Sequence, residues 1–160
     1  MTTKLRPMQR EDRPGLAIML AGIPSFDSDD QAVALELVDI AIQDASQGDY
    51  LFIVAVDDKD QPIGYACYGP TPLTEGTYDL YWIAVSADLE GKGIGTSLLR
   101  AVEEDLRSRN GRMLIIETSS SEAYDKTRQF YIKNGYPLTE TIKDFYRPGE
   151  DRVTFIKRLN

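Results

Sequence analysis

Val85-Ser86-Ala87-Asp88-Leu89-Glu90-Gly91-Lys92-Gly93-Ile94-Gly95-Thr96-Ser97-Leu98-Leu99 joins two kinds of periodicity. Upstream, residues 77–85 form an apolar, aromatic-rich run that reads as a strand. Downstream, Ile94, Leu98, Leu99, Val102 and Leu106 mark one face of a helix that ends near Asn110-Gly111. Glycine reaches positive φ and lets a backbone approach a ligand closely. Amide N–H groups at a helix N-terminus point outward, where the helix dipole also favours anions. Such a turn suits a phosphate. Its G-x-G-x-G spacing differs from the dinucleotide fingerprint G-x-G-x-x-G, and the P-loop pattern is absent. A flexible strand-to-helix turn is the plain alternative for this segment taken alone.

Outward from this turn the chain alternates between the two periods. Residues 3–7 read as a first strand, and residues 11–22 as a helix with Pro14 in its first turn. A second helix is expected from Asp29 to about Gln47, with Val33, Leu37, Ile40 and Ala41 inward and Gly48 as its stop. Residues 51–56 and 63–68 make a hairpin around the polar turn Asp57-Asp58-Lys59-Asp60. After the glycine turn and its helix come a strand at 112–118, a short helix at 124–133, and strands at 136–143 and 151–158 separated by Arg147-Pro148-Gly149-Glu150. The order is βααβββαβαββ, mixed α/β around one sheet.

Composition narrows the chemistry. At 160 residues one domain is the natural expectation. Cys67 is the only cysteine, so an intrachain disulfide framework is excluded, and a buried inert thiol is the reading. With no histidine, every mechanism that needs a His base is excluded, as are His-rich metal sites. The formal charge of −8 makes nucleic acid an unfavourable partner and a cationic amine a favourable one, although solubility alone accounts for such a charge. The first ten residues lack the apolar stretch of a signal peptide, and no apolar run approaches the ~20 residues of a membrane helix. A cytoplasmic protein without a membrane partner is expected.

The glycine segment also resembles the acetyl-CoA loop of the GNAT superfamily of N-acetyltransferases, whose pattern is Q/R-x-x-G-x-G/A between the fourth strand and third helix. Gly93 and Gly95 match it; Glu90 departs, since Gln or Arg is usual there. The stretch Arg128-Gln129-Phe130-Tyr131-Ile132-Lys133-Asn134-Gly135-Tyr136 is similar to the family's second signature, an aromatic-Tyr pair followed by x-K-x-G-F/Y. Tyr124 stands where many members carry Asn. The resemblance implies a single GNAT-type domain over residues 1–160, with a central mixed, mostly antiparallel sheet flanked by helices. It also implies acetyl-CoA as co-substrate and no metal. Backbone groups of Ile83, Ala84 and Val85 would pair with the pantetheine arm, and the N–H groups of Gly91, Lys92, Gly93, Ile94, Gly95 and Thr96 would hold the pyrophosphate.

Acetyl transfer to an amine requires loss of an ammonium proton, polarisation of the thioester carbonyl and protonation of the departing sulfur. Direct transfer in a ternary complex needs no covalent enzyme intermediate. The resemblance puts Tyr131 at the position of the family's acid, against the alternative of a core aromatic beside Phe130. Glu117, at the end of its strand, is a candidate base, against a solvated strand end; Asp79 on the aromatic strand is the competing base. The acceptor would be a small-molecule or peptide amine, which leaves a protein N-terminus open. Other readings are a non-catalytic acyl-CoA-binding regulator on the same fold and an unrelated nucleotide-binding module. Edge strands at the C-terminal end leave room for a homodimer.

Overall fold

A computed structural model of the chain describes residues 2–160. Seven strands form one sheet: β1 (Lys4–Pro7), β2 (Leu51–Val56), β3 (Pro62–Pro70), β4 (Thr77–Val85), β5 (Met113–Ser119), β6 (Leu138–Arg147) and β7 (Glu150–Arg158). Their spatial order is β1-β2-β3-β4-β5-β7-β6. Four helices accompany them: α1 (Arg13–Ala21), α2 (Ser28–Gln43), α3 (Ile94–Ser108) and α4 (Asp125–Lys133). The mixed α/β class and the mostly antiparallel sheet agree with the sequence reading. Among the described residues β4 and β5 are the parallel pair, because α3 carries the chain back to the starting edge of β4.

The sheet is covered on both faces, which explains the unbroken apolar runs of β2 and β3. Val54 and Val56 pack with Tyr65 and Cys67 against Leu16 and Leu20 of α1 and Ala34 and Val38 of α2. Ala55, pointing to the opposite face, meets Ile94 and Leu98 of α3. Tyr131 of α4 shares a cluster with Leu99, Val102 and Leu106 of α3 and with Leu114, Ile116 and Phe155 of the sheet. Thus α1 and α2 cover one face while α3 and α4 cover the other. Cys67 is fully buried, and burial pushes its thiol pKa up.

Beneath α3 lies a buried ionic knot. The Glu103 carboxylate accepts from the Tyr136 hydroxyl at 2.6 Å, from Arg100 at 2.9 Å and from Lys157 at 3.2 Å. Arg100 also donates to the Asn134 carbonyl at 3.2 Å. The knot ties α3 to the end of α4 and to β7. Burial alone would raise the pKa of Glu103, but these donors outweigh it and hold the carboxyl below its ordinary value.

The boundaries that differ most from the sequence expectation are those of α2 and β6. Helix α2 begins at the Asp27 cap, where the Asp27 and Asp30 carboxylates accept from each other's backbone N–H at 2.8 and 3.0 Å. It stops at Gln43 instead of Gln47, because the Asp44 carboxylate accepts from the backbone N–H and hydroxyl of Ser46 and turns the chain before Gly48. Strand β6 begins at Leu138 rather than 136 and runs on to Arg147, so the final turn is tighter than expected. Its ten residues are all exposed at the sheet edge, and register shifts interrupt its pairing with β7.

Candidate active site

β4 and β5 pair only from Thr77↔Met113 to Leu80↔Ile116, although β4 continues to Val85 and β5 to Ser119. The break coincides with a register shift on the other flank of β4, where Cys67 faces Trp82 but Tyr68 faces Leu80, leaving Tyr81 as an extra residue. A bulge of this kind bends and twists its strand. Beyond it the two strands part, and a cavity of about 710 Å³ opens between their ends. Ser86 N–H donates to the Ile63 carbonyl at 2.9 Å, so strand alternation turns the amide groups of Ile83 and Val85 away from β3. They face the gap that β5 has left.

The glycine turn closes one end of this gap. Gly91 and Gly93 have φ of +76° and +84°, and a β-carbon built on either would meet nothing within 4 Å. Their requirement for glycine is therefore conformational and the space above them is open. No N–H from residue 91 to residue 96 donates to an acceptor among the described residues; the first to do so is Ser97, to the Gly93 carbonyl at 3.0 Å. Gly95 serves differently: a β-carbon there would come within 3.2 Å of the Phe130 ring, so its absence lets α4 close on α3. Within residues 86–97 the charged side chains are Asp88, Glu90 and Lys92. An anion here would be gripped by backbone.

Tyr131 lines the cavity from α4. It is 5% exposed and packed among Phe130, Tyr136 and Phe155. Its hydroxyl has no hydrogen-bond partner among the described residues; burial pushes its pKa up, so it stays a protonated donor. The sequence alternatives of core aromatic and cavity group therefore coincide in one side chain. Glu117 lines the same cavity from the parted end of β5, half-exposed, with the Arg152 guanidinium 3.7 Å away. Asp79 lies elsewhere: it is within the paired part of the strands, opposite Ile115, and accepts from the Thr71 hydroxyl at 2.7 Å. It does not line the cavity.

The opposite wall comes from segments without a legible motif. The α1–α2 connection supplies Phe26, Asp27 and Asp30, and the β6–β7 hairpin supplies Tyr146, Arg147 and Glu150. Ser119 donates to Glu150 at 2.7 Å, and Tyr124 donates to the Ser25 carbonyl at 3.4 Å across the cavity mouth. Burial, then the neighbouring charges of Asp30, Asp27 and Glu150, raise the Tyr124 pKa. Only the Asp27–Asp30 cap could have been found in the sequence, as an acidic capping pair.

Comparison with known proteins agrees with this architecture. The model of the acetyltransferase (GNAT) family matches residues 19–136, well over half of the chain. The chain belongs to that family. A crystal structure of a GNAT-family protein from Desulfovibrio desulfuricans superposes with a TM-score of 0.95 at 38% identity, covering 99% of this chain and 100% of that one. An aminoglycoside 6'-N-acetyltransferase complexed with coenzyme A has a TM-score of 0.76 at 18% identity, over 98% and 97% of the two chains, a likeness of fold. An uncharacterized N-acetyltransferase of Methanocaldococcus jannaschii is 31% identical over 77 residues, 48% of each chain. The match thus spans about half the length of that curated relative. Among the described residues no helix is long and apolar enough to cross a membrane.

Proposed function

We propose that this protein is an N-acetyltransferase acting as one domain, which binds acetyl-CoA and an amine together and transfers the acetyl group directly. The observation that supports this reading best is the parted edge of β4, with the unengaged amides of Ile83 and Val85 leading to the unengaged N–H groups of residues 91–96. An extended amide-bearing arm can pair with that edge as an added strand, and a diphosphate fits the open cradle at the start of α3. The open space over Gly91 and Gly93 meets the steric demand of such a group.

When bound, acetyl-CoA supplies an acyl group already activated as a thioester. The chain's own residues do the rest. The gap-facing amide of Val85 would donate to the acyl oxygen. Tyr131 holds its proton in a water-poor wall and offers it to the departing sulfur. A thiolate is destabilised in the same wall, which offsets the rise that burial gives the phenol's own pKa. Glu117, half-exposed, accepts the ammonium proton and passes it to solvent. Asp79 has no part in this scheme, because it is outside the cavity lining.

Thermal stabilisation tests the reading. Saturating CoA or acetyl-CoA at 100 times Kd adds about 2.7 kcal/mol, a rise of about 5–10 °C in Tm for a chain of this size. ATP and NAD should give no comparable rise. Acetyl-CoA consumption with a panel of amines and peptides completes the test; stabilisation by ATP or NAD but not CoA would overturn the reading.

A further inference from the structure

The parted end of β5 is held by a helix. Ser120 N–H donates to the Asp151 carbonyl of β7 at 3.0 Å, whereas Met113 N–H donates to the other flank, to the Gly76 carbonyl just before β4, at 3.2 Å. Strand alternation therefore turns the backbone of Glu117 and Ser119 away from β7, toward β4 and the gap. Arg128 of α4 takes the Ser119 carbonyl, donating from Nη1 at 2.8 Å, and the same nitrogen donates to the Ser121 carbonyl at 2.7 Å. Its side chain is largely buried, and the carboxylate beside it, Asp125, is exposed and 3.5 Å away. Carbonyls hold this cation more than a carboxylate does.

The register shows what the Ser119 carbonyl would otherwise do. Leu80↔Ile116 is the last β4–β5 pair, and the extra residue Tyr81 shifts the offset by one. Continued past the bulge, the ladder sets Ser119 opposite Ala84. In a parallel ladder a carbonyl accepts from the residue after its partner, which here is Val85. Val85 is gap-facing, so donor and acceptor match. Ser119 thus carries the acceptor that would engage the amide meant for the acyl oxygen. A charge-assisted hydrogen bond is roughly twice as strong as a neutral one, so Arg128 wins that carbonyl.

We propose that Arg128 is a positioning residue that keeps the Val85 amide free: by holding the Ser119 carbonyl on α4, it stops β5 from closing on β4 across the gap. The role given to Val85 rests on the acetyltransferase reading; the hold on Ser119 does not. Tyr131 follows Arg128 by one turn of the same helix. The element that offers the proton therefore also keeps the two strands apart.

Amide hydrogen exchange of the ligand-free protein tests this. In the wild type Val85 should exchange as an amide without a partner; in Arg128→Met it should slow by about tenfold or more as it pairs with Ser119. Loss of a merely structural contact would instead speed exchange around α4 and leave Val85 as it was. Arg128→Lys, whose ammonium can donate to both carbonyls, should keep the wild-type exchange. Should Arg128→Met not fold, Arg128→Gln gives the same comparison. By titration calorimetry, Kd for CoA should rise about tenfold in Arg128→Met and little in Arg128→Lys, since a closed edge cannot accept an added strand. Unchanged or faster exchange at Val85, or CoA binding as tight as in the wild type, overturns the proposal and leaves the acetyltransferase reading standing. Should the wild type not bind CoA, that reading fails instead, and the exchange at Val85 alone decides what Arg128 does.

Discussion

The two walls of the cavity are made of different material. Along the parted edge of β4 and the turn into α3, the groups that face the gap are backbone amides held by one bulge and two left-handed glycines. Across from them, from the α1–α2 connection to the β6–β7 hairpin, the facing groups are side chains, mostly acidic or aromatic. Backbone recognises what an extended amide and a diphosphate have in common, whatever the neighbouring residues are. Side chains discriminate between acceptors. Tyr131 stands where the walls meet.

The largest expected effect probes that meeting point. Tyr131→Phe removes a hydroxyl without a protein partner, so Tm and CoA stabilisation should hold while kcat falls about 100-fold. Steady-state kinetics beside a melting curve reads both, and a matching loss of stability would make Tyr131 a structural residue.

Next comes the knot beneath the backbone wall. Glu103→Leu strands the Tyr136 hydroxyl and frees α3 from β7, at a cost of about 2–3 kcal/mol. Denaturant midpoints of the variant and wild type measure it. The pH dependence has a definite sign. Because the folded-state pKa of Glu103 is depressed, its contribution is full above the unfolded value and is lost as pH falls through the folded one. Between about pH 6 and 3, the wild type should therefore lose Tm faster than Glu103→Gln.

A smaller effect separates backbone from charge. Gly93→Ala forces a β-carbon into the left-handed region at about 1–2 kcal/mol and should weaken CoA binding about tenfold. Lys92→Ala, on the same turn, should cost less than about 1 kcal/mol. Titration calorimetry with CoA decides between them; the reverse order would mean that the wall grips by side-chain charge. The smallest effect is expected at Asp79→Asn, which should leave kcat within a factor of about 2, as a polar group outside the cavity does.

Much of the backbone wall was legible because its signals are local. Three glycines between a strand-period run and a helix-period run state the turn, its φ demands and the direction of its donors. The Phe130-Tyr131 pair was legible through its resemblance to the family's second signature, just before the helix stop at Asn134-Gly135. The ends of α2 and β6 were misplaced by a few residues. There, a side-chain cap at Asp27, a competing turn at Asp44 and pairing with β7 took precedence over the apolar pattern. Asp79 and Glu117 looked alike in sequence, both acidic on apolar strands. Only the point at which β4 and β5 part separates them.

By itself, then, the sequence determined the alternation of strands and helices, the glycine cradle and the exclusion of histidine and disulfide chemistry. These depend on residue type and spacing within a few turns of chain. The tertiary structure decided where the sheet opens and which carboxylates face that opening. Phe26, Glu117 and Glu150 are distant in sequence and share a cavity that opens where two parallel strands part beside a bulge at Tyr81. No local pattern encodes a meeting of segments that the sheet's strand order brings together.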